Sequence, residues 1–136
     1  GYTIANKEKR VSIATDFGVF TEEIFDNIKD SKSILLECNH DVSMLKYGPY
    51  PYNLKRRILS EVGHLSNDDC GSALVSLAKH GIGKNIILGH LSRTNNQPDL
   101  ALQTVLNIIE ENGLKEGQDI NISMADRGKP SGYVKL

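Results

Sequence analysis

Polar and apolar residues alternate near the start of the chain, then apolar residues gather into short runs separated by stretches of helical spacing. Tyr2-Thr3-Ile4-Ala5 reads as a short strand, followed by the polar turn Asn6-Lys7-Glu8-Lys9. Arg10 to Thr15 alternates and stops at Asp16-Phe17-Gly18, the pattern of a strand that ends in a turn. Thr21 followed by Glu22 and Glu23 opens a helix whose buried face is Ile24, Phe25 and Ile28. Ser33 to Cys38 and Asn85 to His90 are nearly continuous apolar runs, suited to strands buried on both faces of a covered sheet. Residues 41–63 are poorly patterned. Gly48-Pro49-Tyr50-Pro51-Tyr52 is a breaker cluster, after which Leu54, Ile58 and Leu59 predict a short helix with Lys55, Arg56 and Arg57 mostly outside. Ser66 with Asp68 and Asp69 starts a clearer helix, carried by Ala73, Leu74, Leu77 and Ala78 and ended at Gly81. Pro98 opens another, lined by Leu100, Ala101, Val105, Ile108 and Ile109 and closed at Asn112-Gly113. Asp119 to Met124 alternates as a strand, and Gly132 to Leu136 reads as a last one. The alternation predicts a layered α/β (α+β) fold, a mixed sheet covered by helices, with residues 1–136 in a single domain.

Composition narrows the class without naming it. The 136 residues are 39% hydrophobic and 24% charged, with 16 Lys and Arg against 17 Asp and Glu. That balance excludes an overall basic coat for nucleic acid but leaves room for a local basic patch. No run reaches the ~20 apolar residues of a membrane span, and no secretory signal is expected at the start. Cys38 and Cys70 form neither a disulfide framework nor a zinc knuckle, so a reducing cytoplasm is the expected setting.

Chemistry collects by position. Asp16, Glu37 and His90 each fall at or just beyond the end of a predicted strand, and His64 lies in a loop immediately before a helix. Strand ends and the loops after them are where layered α/β folds assemble sites, so these four residues are candidates for a metal or acid–base centre. The simpler alternative is that they cap helices and satisfy loop amides. His80 is placed to sit solvated against the C-terminal end of its helix dipole, and the two cysteines to fill core space. The Lys55-Arg56-Arg57 run beside Tyr50 and Tyr52 reads either as a wet helix face or as a nucleic-acid contact.

With these residues placed, the chain resembles the C-terminal half of a metallo-β-lactamase-fold metallohydrolase, of the bacterial YycJ-type (WalJ-type) branch related to ribonuclease Z. The resemblance rests on Ala14-Thr15-Asp16-Phe17-Gly18, Leu35-Leu36-Glu37-Cys38-Asn39-His40-Asp41, Gly63-His64-Leu65-Ser66-Asn67 and Leu88-Gly89-His90-Leu91-Ser92. The stretch from Glu37 to Thr94 is its most specific part. What it implies is a two-metal phosphodiesterase or nuclease acting on DNA or RNA, with two divalent ions, Zn²⁺ or Mn²⁺. Asp16 matches the aspartate that bridges the metals and His90 the last histidine ligand. Glu37 and His64 match a pair that assists proton transfer. Asn39, His40 and Asp41 extend the same motif, and with Arg93 they are candidates to support the ligands or meet substrate.

One departure matters. The fold's His-x-His-x-Asp-His run is absent, as is a histidine ligand that normally precedes the bridging aspartate. The resemblance therefore implies the C-terminal half of an αββα sandwich, with an incomplete metal site and no activity of its own. Asp16 and His90 alone do not close a zinc site. Half a sandwich also leaves an apolar face to pair with a second copy or with the missing N-terminal half. Two further readings follow from the same residues: a non-catalytic binding or dimerisation module, and a hydrolase of small (phospho)esters.

Overall fold

Ala14, Leu36, Leu88 and Met124 form one lateral row across four strands, and Ile34, Ile86 and Ile122 form the next. These rows share a face because side chains alternate along a strand, and that face is the core. In a computed structural model, which describes residues 1–7 and 9–131, the strands are β1 (Tyr2–Asn6), β2 (Lys9–Ala14), β3 (Ser33–Glu37), β4 (Lys84–Gly89) and β5 (Ile120–Met124). They form a five-stranded sheet in sequential order. β1 pairs antiparallel with β2, and every later neighbour is parallel. The sheet is mixed, as expected.

Each parallel step is bridged by helix: α1 (Glu22–Ile28) between β2 and β3, and α5 (Pro98–Glu111) between β4 and β5. Between β3 and β4 the chain makes α2 (Val42–Tyr47), α3 (Tyr52–Ile58) and α4 (Asn67–His80). A strand order that always advances, with crossovers of one hand, brings successive helices onto the same side of the sheet. Leu74, Leu77, Val105 and Ile109 accordingly pack with Ile34, Leu36, Ile86 and Leu88.

The opposite face is different. Strands buried on both faces were expected at Ser33–Cys38 and Asn85–His90. Instead Leu35 and Ile87 are only half-buried, and their row neighbour Ile13 is 42% exposed. Among the described residues the helical core covers one side only. Apolar composition announces that a strand wants cover; it does not say that the cover lies in the same 136 residues.

Local signals account for the element ends. The Thr21 hydroxyl accepts from Ile24 N, and the Ser66 hydroxyl from Asp69 N. Gly113 follows α5 at φ +75°. The sequence reading missed α2, whose six residues carry too short a pattern. Its signal was Asp41, whose side chain accepts from Met44 N at 2.7 Å as an N-cap. The strand expected at Gly132 to Leu136 lies outside the described residues.

Candidate metal and acid–base site

Parallel pairing puts the C-terminal ends of β2, β3 and β4 side by side, with Ala14 opposite Leu36 and Glu37 opposite Gly89. Asp16, Glu37 and His90 therefore meet at one sheet edge. His64 arrives from the loop between α3 and α4. That loop is pinned against the turn after Asp16 by Gly18 N, which donates to Glu61 O at 2.9 Å, while His64 N donates to Ile58 O at 3.0 Å. Gly18 lies so close to the Ser60 carbonyl, and Gly63 to those of Arg57 and Ile58, that a Cβ at either would collide with backbone. A larger residue at either position would push the His64 loop away.

Glu37 organises the cluster. Its side chain is fully buried, and Oε1 accepts from His64 Nδ1 at 2.7 Å and from His90 Nδ1 at 2.6 Å. Oε2 accepts from Asp16 N at 2.7 Å and Phe17 N at 3.3 Å. A carboxylate oxygen only accepts, so this arrangement puts a proton on Nδ1 of both rings and leaves both Nε2 atoms bare. An imidazole whose far nitrogen is held by a carboxylate is the usual supported metal ligand or proton carrier.

The two rings are not equivalent. His90 approaches Asp16 Oδ1 through its free Nε2, at 3.8 Å. His64 approaches the same oxygen through Nδ1, at 3.9 Å, the nitrogen already taken by Glu37. The ring centroids are 5.3 Å apart, and Asp16, His64 and His90 each offer a ligand atom within 4.8 Å of the others. Their side chains are 66%, 32% and 42% exposed, so the cluster faces solvent above a buried anchor. One oxygen and two imidazole nitrogens are a donor set that suits a divalent transition-metal ion. Asp16 and His90 also adopt φ +66° and +57°. Left-handed backbone costs a residue with a Cβ about 1–2 kcal/mol, and such strain gathers at functional positions.

The remaining candidates divide into support and rim. Asn39 Nδ2 donates to His90 O at 2.7 Å, and Asn39 O accepts from Ser92 N at 2.8 Å, so Asn39 braces the loop that carries His90. The Asp41 side chain caps α2. His40 is buried, and neither ring nitrogen has a partner among the described residues. Burial pulls its pKa below the ordinary value. Arg93 is exposed and lines a cleft of about 490 Å³ with His90, Ser92 and Arg127.

Sequence reasoning missed Asn67 and Asn96. Their side-chain amides pair reciprocally at 3.0 and 2.8 Å, and Asn96 Nδ2 also donates to Cys38 O at 3.0 Å. This buried net buttresses the residue after Glu37. An Asn at a helix start looks like an ordinary cap, so only the fold reveals it. His80 is exposed in the last turn of α4, as expected, and there it also pairs through Nε2 with Asp30 at 3.2 Å and stands edge-on to Phe25 at 5.6 Å.

No known family profile matches the chain. It is 36% identical over 130 residues to "Exodeoxyribonuclease YycJ" of Bacillus anthracis, covering 96% of this chain and 49% of that protein. It is 36% identical over 121 residues to "Exodeoxyribonuclease WalJ" of Streptococcus pneumoniae, covering 89% of this chain and 45% of that one. The chain thus spans about half the length of the curated relatives it matches. Among solved structures, unliganded yeast PDE1 superposes with a TM-score of 0.59 at 22% identity, over 90% of this chain and 36% of that one. That likeness fixes the α/β fold as one shared with a metallo-β-lactamase-type protein. The chain is a relative of the YycJ and WalJ proteins over about half their length, with an α/β fold shared with part of a metallo-β-lactamase-type protein.

Proposed function

We propose that this chain contributes part of the active site of a metal-dependent nuclease that hydrolyses phosphodiester bonds of DNA. The carrying observation is the single buried carboxylate of Glu37, which orients His64 and His90 beside Asp16. The names of the relatives, exodeoxyribonucleases, support DNA as the substrate. A basic coat is not part of this reading, because the chain's formal charge is -1.

In this reading Asp16 and His90 are metal ligands and His64 is the proton carrier. The asymmetry of the two imidazoles supports the division: only His90 turns its free nitrogen toward Asp16. The cation, Zn²⁺ or Mn²⁺, would polarise the phosphoryl group and draw charge off it. The chain's own residues do the rest. Water supplies the new phosphorus–oxygen bond; Glu37 holds the Nδ1 proton of His64, so that Nε2 takes up a proton and passes it to the leaving oxygen as the old phosphorus–oxygen bond breaks. Arg93 stands on the rim as a contact for substrate phosphate. The remaining ligands, those of the His-x-His-x-Asp-His run, are supplied from outside these 136 residues, and that second half of the fold covers the exposed face of the sheet. The proposed compartment is the cytoplasm, consistent with two buried free thiols at Cys38 and Cys70. Among the described residues no helix is long and apolar enough to cross a membrane.

The test is hydrolysis by the full-length protein with Mn²⁺ or Zn²⁺, on single-stranded DNA, duplex DNA, RNA and a chromogenic phosphodiester. Metal-dependent cleavage of DNA is the expected result. The uncovered sheet face gives the alternative, a module that pairs without catalysis, its own signature. A chain that dimerises and turns over none of the four substrates would replace the nuclease reading with that one.

A further inference from the structure

Residues 42–60 hold Lys46, Lys55, Arg56 and Arg57 and not one acid, in a chain whose overall charge is nearly balanced. The same stretch holds Tyr47, Tyr50 and Tyr52, three of the five tyrosines. Tyr47 is 89% exposed and Tyr52 is 72% exposed, so these rings serve no core. Lys55 is already engaged: Nζ donates to Lys46 O and Gly48 O, both at 2.7 Å, and ties α3 to the end of α2. Arg56 and Arg57 have no acidic partner among the described residues. The Arg56 guanidinium lies over the Tyr52 ring, 5.9 Å from its centroid.

This surface runs into the site. Arg57 and Leu54, one helical turn apart on α3, line a groove of about 380 Å³ together with Val62, Asp16 and His64. Val62 is 83% exposed there. Cations that track a backbone, interleaved with exposed aromatic and apolar surface for base faces, are what an unpaired strand requires. Duplex DNA hides its base faces, so the tyrosines would contribute nothing to it. An acidic protein would use the cations and leave the rings idle.

We propose that α2, α3 and the loop joining them form a platform for single-stranded DNA, with a base stacked on Tyr52, phosphates on Arg56 and Arg57, and the strand led along the Leu54–Val62 groove to Asp16 and His64. The proposal rests on the nuclease reading for the identity of its ligand, and it adds the form of DNA presented and the side from which the strand enters.

The experiment is binding of a fluorescent oligothymidylate to the full-length protein in EDTA, followed by anisotropy across a salt series, so that no cleavage is involved. Tyr52→Ala is expected to weaken binding about tenfold, within the range of one lost stacking contact. Arg56→Gln with Arg57→Gln is expected to lower the slope of log affinity against log salt by about 1.4, the loss of two phosphate contacts on a single strand. Lys79→Gln, at the exposed end of α4, is expected to leave both quantities unchanged. All three variants alter exposed side chains, and circular dichroism checks that they fold. Wild-type affinity in both platform variants would overturn the proposal, as would polyglutamate competing as well as the oligonucleotide. Either result would leave metal-dependent cleavage of a chromogenic phosphodiester intact, so failure here is separable from failure of the nuclease reading.

Discussion

Glu37 Oε1 accepts a hydrogen bond from His90 Nδ1 at 2.6 Å, on the same oxygen that accepts from His64. The family resemblance implies a Glu37–His64 pair; the structure gives Glu37 a second imidazole and two backbone amides as well. A substitution at Glu37 therefore reaches every other member of the cluster. In Glu37→Gln, an amide N–H₂ must face either the two ring donors or the amides of Asp16 and Phe17. A buried donor left facing donors costs about 1–3 kcal/mol. The expected outcome in the full-length protein is lower turnover together with metal affinity weakened about 10–100-fold, because His90 loses its support. Titration with metal and steady-state kinetics on the same variant check this. Lower turnover at unchanged metal affinity would mean that Glu37 acts through His64 alone.

The left-handed backbone at His90 makes a prediction that needs no metal. At an ordinary strand end, glycine is the less stable replacement. At φ +57° the order reverses, since a Cβ is the source of the strain. His90→Gly should exceed His90→Ala in unfolding free energy by about 1 kcal/mol in denaturant titrations. Both variants lose the same imidazole, so the difference isolates the backbone. Equal stabilities would show that the turn carries no strain.

His40 gives the fold a dependence on pH. Burial favours its neutral form, so the folded pKa lies below that of the unfolded chain. Below about pH 6.5 the unfolded chain takes up a proton that the folded chain resists. This contribution to stability is full above that pH and is lost as pH falls toward the folded pKa. His40→Phe removes the titrating group, along with two buried nitrogens that lack partners among the described residues. Between pH 6.5 and 5 its stability should fall less steeply than wild type, by up to one proton, about 1.4 kcal/mol per pH unit. Parallel curves would contradict the assignment.

Much of this was legible before the structure. Strand ends at Asp16, Glu37 and His90 were marked by apolar runs that stop abruptly at a titratable residue, and the parallel register turns that regularity into contact. His64 was suspected from its place in a loop just before a helix, but its approach to Glu37 was not legible, because a loop residue is placed by backbone packing such as Gly18 against Ser60. The one-sided cover of the sheet was implied by the resemblance to half a sandwich but not by the apolar pattern, since Leu35 and Ile87 read the same whether buried by helices or by a second sheet. The positive φ of Asp16 and His90 was not legible either, since tertiary contacts impose it against local preference. The Asn67–Asn96 pair lay 29 residues apart and announced nothing.

Metal content tests the central claim, the division of labour at this site, most directly. The full-length protein and its Asp16→Ala and His64→Ala variants would be loaded with Mn²⁺ or Zn²⁺, freed of excess ion and assayed for bound metal by elemental analysis. Asp16→Ala is expected to lose metal and activity together. His64→Ala is expected to keep its metal while turnover falls by about 10²–10⁴-fold, the scale of a lost proton donor. If His64→Ala is stripped of metal as thoroughly as Asp16→Ala, His64 is a ligand, and the roles given to the two histidines are wrong.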